Sequence, residues 1–444
     1  MRKKVTVIGL GVTGFYSASF FAKRGLDVSV MDIKKEEELR KDYVEGLKRI
    51  GVEIIAGRYD ERCILESDIV ILSPSVPVDL PVLEKAREKG VCVIGELEFA
   101  SRMIEKPIVA ITGTNGKSTV TTLIGNILRR AGKKVFVGGN IGRPLISYFE
   151  QDEEAEIFVL EVSSYQLDSV EKFSPFISVI LNITPDHLDH YGRFERYVES
   201  KLKIFRNQKP ESYLILNDDD KILSQISPSN VKVLRYGIQK RWNRDAYIED
   251  GKIKCLGIEF SFEDIKLIGM HNIVNLMPVI LCCLLLDVEK EIIEKEIREF
   301  KGLPHRLEFV LEKEGIAFFD DSKATNVDSA VSAIKSIERP IILIAGGKDK
   351  GGGYRQLKEA AKEKVKHAVL LGEASTLIAK EFEGEISYEM AKDMYDAVEK
   401  AYSKAKKGDA ILLSPACSSF DMFKDYSHRG EVFKDAIRRI VSGK

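Results

Sequence analysis

Short apolar runs rich in β-branched residues alternate along this chain with longer charged stretches whose apolar residues recur every three to four positions. From Lys4 to about Ser101 the runs VTVIGL, VSVMDI, DIVILSP and VCVIG are separated by stretches such as KKEEELRKDYVEGLKRI, which reads as helix. Strand runs alternating with helical periods predict βαβ units and a parallel sheet covered by helices. A fresh unit opens at Pro107. There IVAITGT reads as a buried strand, GKSTVTTLIGNILRRAG as a helix stopped at Gly132, and KVFVGGNIG as the next strand and turn. The strands IFVLEVSS and FISVILNIT continue it. Between Leu234 and Ile268, turn residues mix with short strands such as KIKCLGIEFSF, and the apolar helix NIVNLMPVILCCLLLDV follows. The helical pattern stops near Lys301-Gly302-Leu303-Pro304, where IAFFDDS, PIILIAGG, HAVLLG and DAILLSPA begin a third unit. The pattern predicts three α/β domains over residues 1–104, 105–302 and 303–444.

Length agrees, since 444 residues at about 150 per domain also suggest three. Lys plus Arg is 68 and Asp plus Glu is 69, a balance of −1 that favours neither nucleic acid nor an anionic membrane as partner. The longest apolar run, Leu276 to Leu286, contains Pro278 and falls short of the roughly 18 residues a spanning helix needs. No membrane span is expected. The opening MRKKVTVIGLGVTG is interrupted by Gly9, Gly11 and Gly14 and reads as a first strand, not an export signal. Six cysteines without a C-x-x-C pair point to neither a disulfide framework nor a zinc ribbon, so a reducing cytoplasm is the expected compartment. Cys282 and Cys283 read as helix core and Cys417 as a small buried filler.

The candidate chemistry begins at Thr112-Gly113-Thr114-Asn115-Gly116-Lys117-Ser118-Thr119, between an apolar strand and a helix. A glycine-bearing turn lets backbone N–H groups approach phosphate oxygens, and the helix N-terminus adds positive potential. Lys117 can reach the outer phosphates, and a Ser118 or Thr119 hydroxyl can ligate Mg²⁺. The loop is shorter than G-x-x-x-x-G-K-[ST], because Ile111 stands five positions before Gly116. Glu161 ends the strand IFVLE, where α/β sheets place ligands, and a carboxylate there suits Mg²⁺. Asn182 to His190 form a polar cluster in which His187, taken alone, reads as a loop or capping residue. Lys201 reads locally as a solvated helix lysine, and Lys350, in a glycine loop, as exposed. Gly9-Leu10-Gly11-Val12-Thr13-Gly14 follows the first strand and Asp32 ends the second, which matches a dinucleotide fingerprint and keeps an NAD-dependent oxidoreductase open.

With these residues in view, the chain resembles the Mur ligase family across its whole length. Three stretches carry the likeness: Gly302-Leu303-Pro304-His305-Arg306-Leu307-Glu308, Asp320-Asp321-Ser322-Lys323-Ala324-Thr325-Asn326, and Ser414-Pro415-Ala416-Cys417-Ser418-Ser419-Phe420-Asp421-Met422-Phe423. It is most similar to the members that add D-glutamate to UDP-linked muramoyl-alanine at the expense of ATP. The resemblance implies a Rossmann-like N-terminal domain, a central P-loop ATPase-like parallel sheet and a Rossmann-like C-terminal domain. Gly113, Thr114, Asn115, Gly116, Lys117, Ser118 and Thr119 would hold the ATP phosphates, with Asn272, Asn275, Arg306 and Asp321 on adenine and ribose. Lys117, Glu161, His187 and Lys201 would be catalytic. Two Mg²⁺ ions are implied, one on Ser118 and Glu161, the other on His187 and a carbamylated Lys201. Val12, Thr13, Asp32, Ile33 and Ser73 would lie against UDP, and Asn140, Ser163 and Gln166 against the muramoyl-alanine. Lys323, Thr325, Lys350, Ser419, Phe420 and Tyr426 would form the D-glutamate pocket. Ser75 departs from the family's usual glycine, and Tyr426 stands where some relatives have phenylalanine. A monomer is expected, with these small molecules as its partners.

Overall fold

A computed structural model describes residues 3–151, 154–351 and 353–442. The alternating pattern resolves into three sheets. The first holds β1 (Lys4–Ile8), β2 (Asp27–Asp32), β3 (Glu53–Ala56), β4 (Ile69–Leu72) and β5 (Cys92–Gly95), all parallel, in the order β3-β2-β1-β4-β5. The second holds β6 (Ile108–Thr112), β7 (Val135–Gly139), β8 (Ile157–Glu161), β9 (Ile177–Ile180), β10 (Tyr213–Asn217), β11 (Lys232–Tyr236), β12 (Ala246–Glu249), β13 (Lys252–Cys255) and β14 (Ile258–Ser261). Its order is β14-β13-β12-β11-β10-β9-β6-β8-β7, with β12 and β13 antiparallel. The third holds β15 (Glu308–Lys313), β16 (Ile316–Asp320), β17 (Ile341–Gly346), β18 (Val365–Leu371), β19 (Tyr388–Met390) and β20 (Ala410–Leu413), ordered β15-β16-β20-β17-β18-β19. Here only the pairing of β15 with β16 is antiparallel among the described pairs.

Parallel strands covered on both faces read as continuous apolar runs, and β6, β8, β9, β16, β17 and β20 are buried at every position. The chain groups into two compact units. The first comprises Met1–Ile183, Val198–Phe260 and Met277–Glu296, and the second Thr184–Tyr197, Ser261–Leu276 and Ile297–Lys444. The first two sheets therefore share one unit. Stretches 184–197 and 261–276 group with the third sheet.

The stretch at 34–50 is not one helix. Glu36–Glu38 form a single tight turn, Leu39 and Arg40 are extended, and the helix begins at Lys41 and ends at Arg49. Three adjacent glutamates repel one another and have no apolar face to bury. Arg40 restarts the chain, its guanidinium 4.0 Å above the Tyr43 ring and 2.6 Å from Asp42 Oδ2. Cys282, Cys283 and Cys417 are buried as expected, and the single tryptophan, Trp242, is 98% exposed in the turn between β11 and β12.

Candidate active site

In the second sheet β6 lies between β9 and β8, so the chain's crossovers leave β6 in opposite directions and open a crevice at its carboxyl end. The loop at 113–116 occupies that place. Gly116 caps the helix Lys117–Arg130 with φ +87°, a conformation that strains a side chain and lets the backbone amides turn outward. Asn182, after β9, fixes the loop from below. Its carbonyl accepts the Thr114 N–H at 2.9 Å, its Oδ1 accepts the Asn115 N–H at 2.8 Å, and its Nδ2 donates to the Asn115 carbonyl at 3.0 Å.

Lys117 Nζ donates to the carbonyls of Gly113 and Thr114, both at 2.9 Å. Lys201 Nζ donates to the same Gly113 carbonyl at 2.8 Å and is 1% exposed. The local reading of Lys201 as a solvated helix lysine is thereby corrected. Tyr197, Ser200, Lys201 and Ile204 are all buried, so the lysine stands in the inward stripe of its helix and not on its wet face.

Glu161, at the end of β8, is buried, and its Oε1 accepts from Asn140 Nδ2 at 2.9 Å while its carbonyl accepts the Asn140 N–H at 2.8 Å. Its Oε2 is buried without a hydrogen-bond partner among the described residues. An orphaned carboxylate oxygen in the same crevice as the Ser118 helix is the donor chemistry a hard cation needs. Ser163 and Gln166 form a reciprocal cap on the helix Ser164–Asp168, with Gln166 Oε1 accepting the Ser163 N–H at 3.0 Å. Asn140, Ser163 and Gln166 thus follow the ends of β7 and β8.

The first sheet repeats the switch at β1, which lies between β2 and β4. Ser73 Oγ, after β4, donates to the Gly9 carbonyl at 2.8 Å. A Cβ on Gly14 would overlap that carbonyl, so the third glycine serves close packing of helix on strand. Asp32 Oδ2 accepts the Leu10 N–H at 2.8 Å and Oδ1 the Lys34 N–H at 2.9 Å, which closes the loop from the β2 side. Thr13 is buried, while Val12 and Ile33 expose apolar side chains at 42% and 64%. Ser75 is exposed.

In the second unit the carboxyl edge of the third sheet gathers the stretches at 320–326, 346–351 and 414–423. Asp321 is buried, its Oδ2 accepting from Ser414 Oγ at 2.8 Å and its Oδ1 from the Leu307 N–H at 3.0 Å. Burial pushes this carboxyl up to about 7 against those bonds and the charge of Arg306. Asn272 Nδ2 donates to the Ile268 carbonyl at 2.8 Å, and Asn275 is half-buried three residues on. Lys323 Nζ lies 3.6 Å from the centre of the Tyr426 ring, and the Thr325 N–H donates to the Lys323 carbonyl at 2.8 Å. Ser419 is buried and Phe420 is 68% exposed.

Lys350 is not the exposed lysine its glycine loop suggests. Its side chain is 20% exposed and its Nζ is 3.3 Å from Asp186 Oδ1. Burial alone would raise the Asp186 carboxyl, but Lys350, His187 and the Asn326 amide hold it below the ordinary aspartate range. His187 caps the short helix Leu188–Tyr191 with φ +54°, which fits its reading as a capping residue in backbone terms. Asn326 donates to Asp186 Oδ2 at 3.2 Å and caps the helix Val327–Ser336.

Two residues of this edge escaped the sequence reading. Asp186 sat within the polar cluster without a role. Arg429 is 2% exposed, donates through Nη2 to the Ser322 carbonyl at 2.8 Å and through Nη1 to the Ser418 carbonyl at 3.2 Å, and so ties two motif stretches together. Its signal was its spacing, since it shares a buried helical stripe with Phe433, Ala436 and Ile437.

Comparison with known proteins agrees with this architecture. Residues 3–95 match the description "Mur ligase MurD-like, N-terminal domain", residues 111–283 "Mur ligase middle domain", and residues 305–417 "Mur ligase, glutamate ligase domain". The chain is 42% identical to the UDP-N-acetylmuramoylalanine–D-glutamate ligase of Geotalea daltonii over 99% of this chain and 98% of the relative. It is 41% identical to that of Clostridioides difficile, over 99% of each. Among solved structures, the fold is similar to the UDP-N-acetylmuramate-alanine ligase of Thermotoga maritima, with a TM-score of 0.63 at 20% identity, 99% of this chain and 100% of that one being covered. Matches over all three sheets, with full-length relatives above 40% identity, mean that this chain belongs to the Mur ligase family.

Proposed function

We propose that this chain is an ATP-dependent ligase that joins D-glutamate to UDP-N-acetylmuramoyl-L-alanine, a step in making peptidoglycan precursors. The observation that carries the reading is the 42% identity, over nearly the whole length of both chains, to a ligase of that name. A carboxylate is a poor electrophile. The alanine carboxylate therefore first takes the γ-phosphoryl group of ATP and becomes an acyl phosphate, releasing ADP. The amine of D-glutamate attacks the acyl carbon, the amide bond forms, and phosphate leaves from the tetrahedral intermediate. Loop 113–119 cradles the ATP phosphates and Lys117 bridges their outer oxygens. Asn272, Asn275, Arg306 and Asp321 serve adenine and ribose.

Ser118, Glu161, His187 and Lys201 as a carbamate are the residues that would hold two Mg²⁺ ions, which when bound neutralise charge on the transferring phosphoryl group. The orphaned Glu161 Oε2 supports that assignment. The carbamate forms when the neutral Lys201 amine adds CO₂ and gives up a proton to solvent. Lys323, Lys350, Thr325 and Ser419 suit a substrate with two carboxylates, and Phe420 and Tyr426 supply aromatic walls. The enzyme works in the cytoplasm as a monomer. Phosphate release measured with ATP, the UDP-muramoyl-alanine and each candidate amino acid tests the whole reading, and release that does not depend on D-glutamate contradicts it.

Two further outcomes are expected. Lys323→Ala or Ser419→Ala raises the KM for D-glutamate far more than that for ATP, because removing one charge-assisted bond costs roughly 1.5 to 3 kcal/mol. Steady-state kinetics with each substrate varied in turn checks this. On the first sheet, calorimetry detects binding of UDP and none of NAD. Asp32 already accepts two backbone N–H groups and Ile33 offers an exposed apolar face for a base. NAD binding without a response to UDP would revive the oxidoreductase.

A further inference from the structure

The helix Glu96–Ser101 joins the first sheet to the second within one unit, and two of its glutamates are buried against the second sheet's backbone. Glu98 accepts the N–H groups of Glu171, Lys172 and Phe173 at 3.0, 2.9 and 2.9 Å and pairs with Arg102 at 2.7 Å. Among the described residues Glu96 has no such cation. Its Oε1 accepts the Ile146 N–H at 2.6 Å, and its Oε2 is buried with no hydrogen-bond partner among the described residues. Burial pushes its carboxyl up to about 7, opposed by the backbone amides of Ile146 and Leu145. An apolar side chain of the same size would avoid that desolvation cost but would leave the Ile146 N–H without its acceptor. The carboxyl is therefore the acceptor that ties this turn to the helix.

What the carboxyl holds is position. Ile146 lies in the turn Leu145–Glu150, and the loop just before it is closed at its base by the Gly139 N–H on the Arg143 carbonyl at 2.8 Å. That loop carries Asn140, which binds Glu161 through both its side-chain amide and its backbone N–H. A short hydrogen-bonded span thus runs from the first sheet's edge, where β5 ends, to Asn140 and Glu161.

We propose that Glu96 is a positioning residue for the nucleotide-sugar substrate, fixing the Asn140 loop relative to the first sheet so that one extended ligand can engage both. The proposal rests on the assignment of the first sheet and Asn140 to that substrate. Glu96→Met keeps the volume and removes the acceptor, Glu96→Gln keeps an acceptor, and Glu96→Asp withdraws it by one methylene. Calorimetry of the full-length variants with UDP-N-acetylmuramoyl-L-alanine, without ATP, gives the readout. The Kd should rise about tenfold in the Met variant, by a smaller factor in the Asp variant, and stay within twofold in the Gln variant. The Kd for UDP alone, which engages only the first sheet, should not change. Unchanged affinity for the full substrate in the Met and Asp variants overturns the proposal, as does an equal loss for UDP. Should the Met variant not fold, the Asp and Gln pair decides by the same criteria. Failure of the unmodified enzyme to bind the substrate would instead refute the functional reading.

Discussion

Lys117→Ala is expected to abolish ligation while leaving the affinity for the UDP substrate within about twofold. Lys117 Nζ rests on two carbonyls of the loop after β6, whereas the UDP site is assigned to the first sheet. On the proposed assignment of Lys117 to the ATP phosphates, its removal would take a charge from the transferring phosphoryl group, where charge develops in the transition state. A contact of that kind is worth roughly 10²-fold or more in turnover, about 2.7 kcal/mol at the lower end. Single-turnover formation of ADP, beside calorimetry with the UDP substrate, separates the two effects. Turnover near that of the unmodified enzyme would remove the phosphate-loop assignment.

The second large effect is expected at Lys201. Its nitrogen and that of Lys117 both donate to the Gly113 carbonyl, at 2.8 and 2.9 Å. Two ammonium groups on one acceptor repel each other, and more strongly where burial lowers the dielectric. Carbamylation, as proposed, would remove that repulsion and put oxygens suited to a hard cation in place of an ammonium. Lys201→Arg keeps the charge but cannot form the carbamate, so it should be nearly inactive. Lys201→Ala should be equally poor, and added acetate should restore part of its activity by filling the vacated space. Mass measurement of the intact chain at high bicarbonate should find the added CO₂ on the unmodified enzyme and not on either variant. A fully active Lys201→Arg enzyme would show that the buried lysine is only a structural hydrogen-bond donor.

What the sequence disclosed followed from how strongly each element is buried. β6, β8 and β17 were legible because a strand covered on both faces must be apolar throughout. β15 was missed because it is an edge strand with no fully buried position, and β19 because it is three residues long and not buried at any of them. The turn at 113–116 was legible through its glycines and its place between the strand Ile108–Thr112 and the helix Lys117–Arg130. The environment of Lys201 did not. A lysine in a charged helix looks solvated unless its register with Tyr197, Ser200 and Ile204 is counted. Asp186 and Arg429 stayed hidden for a related reason. Their partners Lys350 and the Ser322 carbonyl are remote in sequence and meet them only through the fold.

The 98% exposure of Trp242 has a consequence for optical work on this protein. It is the single tryptophan in the chain, and its indole is already in water in the folded state. Unfolding cannot move its fluorescence much further to the red, so a melt followed by tryptophan emission alone would report almost nothing about the buried strands of any of the three sheets. Far-ultraviolet dichroism is the suitable observable for stability. The same insensitivity is useful in reverse: a blue shift of the emission would signal that something has covered the turn between β11 and β12.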